Sequence, residues 1–116
     1  IPVAQKVTAD FLSAATGYEF TEQGVWHLGE RLYNLCRMFN VREGFSRKDD
    51  YLPRRLMEEP IKDGLSKGEV ISQHDLDFML DEYYEARGWD KNGIPTPAKL
   101  QELGLEDTIQ DLPPGR

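Results

Sequence analysis

Cys36 and the basic stretch that follows it are the residues whose types invite a chemical role. A thiol could ligate a metal or act as a nucleophile. Cys36, however, has no second cysteine at C-x2-C spacing and shares a helical stripe with Leu32, Leu35 and Phe39. An unpaired cysteine in such a stripe packs as a small hydrophobe, so we expect Cys36 to be a core residue and not a metal ligand. From Arg37 to Arg55, six basic residues accompany three acidic ones in an otherwise acidic chain. Three roles suit that run: a solvated ion-pair surface, a set of guanidinium contacts to another domain through Arg42, Arg47, Arg54 and Arg55, or an anion or substrate channel.

Other chemistry is missing. No G-x-S-x-G, H-E-x-x-H, Walker loop or G-x-G-x-x-G occurs. Asp49 and Asp50 are adjacent and should point apart, and His74 has no histidine partner at i+4. No catalytic, cofactor-binding or metal-binding residue is assigned on these patterns. Fourteen Lys and Arg against 21 Asp and Glu give a net charge of −7, which disfavours nucleic acid or an anionic membrane as partner. No apolar run is long enough for a membrane span, and a lone cysteine fits a reducing cytoplasm.

The elements that must position these residues are helical. Pro2 can open a first helix, with Val3, Val7, Phe11 and Leu12 at helical spacing, that stops at Thr16-Gly17. Thr21 caps a second, whose stripe runs Val25, Leu28, Leu32, Leu35, Cys36, Phe39 for about five turns. Gly29 inside it costs up to roughly 1 kcal/mol relative to Ala, which a close helix crossing would explain. Pro53 can open a short helix, and residues 60–70 read as loop. Ser72 and Asp75 form a capping box for a helix with Leu76, Met79, Leu80 and Tyr83 on one face, ended by Gly88. Trp89 should plug the core. Thr96-Pro97 starts a last helix with Leu100 and Leu103 inward and Leu105 folded back. The fold class is therefore all-α: residues 1–116 as one small irregular bundle of about four main helices with long loops, and an extended or disordered tail over 108–116.

Several stretches resemble one known family. GERLYNLCRMFNVREGFSRKDDYLPRR (Gly29 to Arg55), MLDEYYEARGWDKNGIPT (Met79 to Thr96), KLQELGLED (Lys99 to Asp107) and, more weakly, ATGYEFTEQG (Ala15 to Gly24) are similar, in this order, to the C-terminal end of the aldehyde ferredoxin oxidoreductases. The resemblance implies a parent enzyme that oxidises aldehydes at a tungstopterin, with tungsten or sometimes molybdenum, and passes electrons through a 4Fe-4S cluster to ferredoxin. The family's cluster motifs, C-x2-C-x3-C and a later D-x-x-G-x-C, are missing here. The resemblance thus implies the last piece of a larger oxidoreductase, inactive alone, whose partners are the upstream domains. The alternative is a non-catalytic stand-alone helical interaction module.

Overall fold

Local signals set the helix boundaries. In the computed structural model, which describes residues 2–114, the Thr21 hydroxyl accepts the Gly24 N–H at the start of the second helix. Ser72 does the same for Asp75, and Thr96 for Lys99. Each cap satisfies an amide that the first turn leaves without a partner. Gly88, with φ of 69°, ends its helix in the left-handed conformation. The resulting helices are α1 (Pro2–Thr16), α2 (Glu22–Arg42), α3 (Arg54–Glu58), α4 (Gln73–Arg87) and α5 (Pro97–Glu102). Short 3-10 turns occupy Arg47–Asp49 and Glu106–Asp111. No strand forms among the described residues, and an isolated antiparallel bridge joins Trp89 to Pro95. The all-α reading holds, although only α1, α2 and α4 are long.

α1 packs on α2, and α5 packs on the second 3-10 helix, which itself packs on α2. Met38, Leu100, Leu103 and Leu105 form the main apolar cluster, with Ile109 and Leu112 against it. Leu100, Leu103, Leu105 and Trp89 are buried as their spacing predicts. The stretch expected to be an extended or disordered tail from 108 instead begins within the 3-10 helix, where Ile109 and Leu112 gain apolar contact. Ile1, Gly115 and Arg116, and with them the end of that tail, lie outside the described residues.

Three expectations about helix faces are overturned. On α2 the buried residues are Asn34, Arg37, Met38 and Val41, while Leu28, Leu32, Leu35, Cys36 and Phe39 are exposed. Cys36 is therefore not a core residue of this segment. α1 buries Ala9 and leaves Val7 and Phe11 exposed. α4 buries Leu76 and Tyr84, whereas Met79 faces out. Gly29 meets nothing within 4 Å of an added Cβ, so among the described residues no helix crosses there.

The shape explains why so much apolar surface is uncovered. The molecule is a slab measuring 51 × 42 × 20 Å, and 20 Å is only about two helix diameters. Its radius of gyration is 18.2 Å, against roughly 13 Å for a compact domain of about this length. In a two-layer slab a helix can be covered on one side only.

Candidate functional site

A polar network joins α2, α4 and the loops that precede α3 and α5. Arg37 is at its centre. Its Nε donates to the Gly93 carbonyl at 2.7 Å, and Nη1 and Nη2 donate to the two Asp50 carboxylate oxygens at 2.8 and 2.5 Å. The Tyr84 hydroxyl donates to the same carboxylate at 2.6 Å. The guanidinium also lies 4.9 Å from the Trp89 ring centroid, and the Trp89 N–H donates to Asn34 at 2.8 Å. Bidentate pairing with a planar fork is geometry that lysine could not reproduce.

Gly93 is required for this arrangement. Its φ is +71°, and a Cβ there would stand 2.5 Å from Arg37 Nη2 and 2.8 Å from the Tyr84 ring. Only glycine permits the backbone to approach so closely.

Electrostatics follow from the geometry. Burial pushes the Asp50 carboxyl up, but hydrogen bonds from Arg37 and Tyr84 outweigh it and leave Asp50 below the usual carboxylate range. Burial pulls Arg37 down, and the Asp50 hydrogen bond and charge more than restore it. Tyr84 is raised by burial and by its hydrogen bond to the Asp50 carboxylate. The cluster therefore holds a fixed ion pair and a neutral phenol. Each of the three side chains is held by hydrogen bonds to the others or to the backbone.

A second arginine extends the network. Arg47 donates to Asp81 at 2.5 Å, to Asp77 at 3.2 Å and to the backbone carbonyls of Asp77 and Lys91. Tyr51 donates to Asp77 at 2.9 Å. These contacts tie the loop after α2 to α4. Asp49, by contrast, turns away from Asp50 and accepts the Ser46 N–H at 2.9 Å, as expected for adjacent carboxylates.

Beside the network an open cleft of about 290 Å³ separates α2 from α4. Tyr33, Cys36 and Asn40 line it on one side, Leu80 and Tyr83 on the other. Tyr33 stacks on Trp89 with an interplanar angle of 10°, and Arg87, which pairs with Glu30, sits 4.5 Å from the Tyr33 ring centroid. Among the described residues no buried side-chain nitrogen or oxygen lacks a hydrogen-bond partner. The arrangement is a clamp that fixes helices relative to one another.

The four arginines singled out in the sequence do not converge. Arg47 is drawn into the network, while Arg42 lies over the Phe39 ring and beside Glu43. Arg54 and Arg55 stand exposed on α3, paired one turn on with Glu58 and Glu59. The reading of the sequence missed Arg37, Asp50, Tyr84 and Gly93 as a unit. The Gly93 turn was the available signal, but nothing local links it to α2.

A metal or cluster finds no donor set here. One cysteine cannot supply the four thiolates of a 4Fe-4S cluster, and the described residues bring no group of three or more His, Cys, Asp or Glu into metal-binding range. Nor is any of the described helices long and apolar enough to cross a membrane.

Comparison with known proteins is consistent along most of the chain. The family model for aldehyde ferredoxin oxidoreductase, domains 2 and 3, matches residues 2–105. The tungsten-containing aldehyde ferredoxin oxidoreductase of Pyrococcus abyssi is 44% identical over 101 residues, 86% of this chain and 16% of that protein. The aliphatic sulfonate oxidoreductase, WOR-like subunit, of Pyrococcus furiosus is 32% identical over 109 residues, covering 89% of this chain and 17% of that protein. Among solved structures, the active site complex BamBC of benzoyl coenzyme A reductase in complex with 1,5-dienoyl-CoA superposes with a TM-score of 0.74 at 26% identity, over 92% of this chain and 15% of its own. The chain thus spans about a sixth of the length of the curated relatives it matches.

Proposed function

The chain belongs to the aldehyde ferredoxin oxidoreductase family, and from that premise we propose that it is a helical wall of a tungstopterin enzyme. That enzyme would oxidise aldehydes to carboxylic acids and pass the electrons through a 4Fe-4S cluster to ferredoxin, in the cytoplasm. The observation that carries the reading is the continuous family match over residues 2–105 by a segment about a sixth as long as its relatives.

The residues present do not fit the metal or the cluster, so both would be held by other segments. What this segment supplies is shape. The Arg37–Asp50–Tyr84 clamp and the Arg47 contacts fix α2 against α4, a rigid face on which the cofactor-bearing domains could close. Relatives named for aldehydes and for aliphatic sulfonates both match this segment, which fits a scaffold better than a substrate-selecting element. Arg42, Arg54 and Arg55, whose partners within the segment are solvent-facing, are proposed as contacts to the other domains.

The test is tungsten and iron analysis, with aldehyde-dependent ferredoxin reduction, on the full-length enzyme and on a form truncated before this segment. The full-length enzyme should hold both metals and turn over. The truncated form should lose most of its tungsten and its activity; full retention of both would overturn the reading.

A further inference from the structure

We infer that α2 is an interface helix whose uncovered stripe, Leu28, Leu32, Leu35 and Phe39, docks against an apolar surface in the rest of the same enzyme chain. The inference rests on the oxidoreductase reading only for the identity of that chain. α2 carries one covered face and, well around the helix from it, one uncovered apolar stripe. At about 100° per residue, the stripe lies roughly 140° around the helix from the face that buries Asn34, Arg37, Met38 and Val41. Its members are 47, 60, 44 and 57% exposed. A helix covered on one face that keeps a contiguous apolar stripe on another belongs inside a structure and not on its rim.

Two independent features point the same way. Gly29 lies on the uncovered half of α2 with open space around it, so nothing within the segment accounts for a glycine in a helix interior. A second body packing closely against α2 does. The stripe also continues at its C-terminal end into a groove of about 150 Å³, where Leu35 and Phe39 meet Thr108 and Asp111. The surface is therefore a shaped strip about 16 Å long between Leu28 and Phe39, larger than a scatter of single exposed side chains. The occupant is the rest of the chain because relatives carry about five sixths of their length outside this segment. A continuation of the same polypeptide also meets the strip at high effective concentration.

Hydroxyl-radical footprinting of the full-length enzyme tests the assignment, with native oxidation rates of Leu32 and Phe39 compared with those of the denatured enzyme. Protection of at least ten-fold, unchanged on dilution, is expected. Native rates within two-fold of the denatured ones would show a solvent-facing strip and overturn it, as would protection that disappears on dilution, the sign of a second copy. Tungsten content and aldehyde oxidation, measured on the same preparation, separate the two failures. An active enzyme with an unprotected strip overturns this surface alone. A protected strip in a preparation without tungsten or turnover overturns the oxidoreductase reading and leaves the surface assigned.

Discussion

Arg37 and Asp50 form a two-point ion pair, at 2.8 and 2.5 Å, between the middle of α2 and the loop after the first 3-10 turn. The arginine side chain is nearly enclosed, and the carboxylate is held from its other side by Tyr84. Removing one partner would leave the other charge buried without compensation. Asp50→Asn is expected to destabilise the segment by about 3 kcal/mol, at the low end for a broken buried pair because Asp50 keeps some solvent contact. Chemical denaturation measures it; a loss under about 1 kcal/mol would place the pair with ordinary surface bridges.

The same pair sets the response to acid. Asp50 titrates below its unfolded value, and so does Asp77, held down by hydrogen bonds from Gln73, Tyr51 and Arg47. A depressed carboxyl contributes stability above the unfolded pKa, about 3.9, and that contribution is lost as pH falls through the lower folded value. Tyr84, raised in the folded state, contributes stability below about pH 10, lost as pH rises further. Stability should therefore be flat between about pH 5 and 9 and fall at both ends. In Asp50→Asn the acid limb should become shallower.

Gly93→Ala should be among the most damaging small substitutions. It combines a left-handed backbone, about 1 to 2 kcal/mol for an L residue, with overlap against Arg37 and Tyr84, about 1 to 3 kcal/mol more. Gly44→Ala has a similar φ of +91° but open surroundings, and should show the backbone cost only. Equal losses for the two variants in thermal unfolding would mean that Gly93 is not a packing site.

Truncations report which side of α2 is covered within the segment. Leu100→Ala, at a fully buried site, should cost about 2 to 5 kcal/mol in the isolated 116 residues. Phe39→Ala there should cost under about 1 kcal/mol, since surface changes usually stay small. The order should tighten in the full-length enzyme, where Phe39 is expected to be covered; denaturant midpoints in both forms supply the comparison.

Arg54→Ala is expected to be neutral in the isolated segment, since the exposed pair with Glu58 contributes at most about 1 kcal/mol. In the full-length enzyme it should lower the unfolding temperature or the tungsten content. No change in either form would return α3 to a solvated charged surface.

Helix positions were legible in the sequence because their determinants are local. Thr21, Ser72 and Thr96 each cap the amide three residues on, Gly88 ends α4, and Leu100, Leu103 and Leu105 sit where a short helix and its stop must bury them. The family resemblance rested on contiguous residues and was equally readable. The facing of α2 was not. Periodicity reports that a side of a helix is apolar, not which body covers it, and on α2 the apolar side is not the covered one. The conspicuous side, Leu32, Leu35 and Phe39, is uncovered here, while the covered side hides Asn34 and Arg37, two polar residues that no hydrophobic pattern would select. Their burial is possible only because Asp50, Gly93 and Trp89, from 13 to 56 residues away, arrive with matching donors and acceptors. That satisfaction of buried polar groups over long sequence separations is a property of the tertiary structure alone.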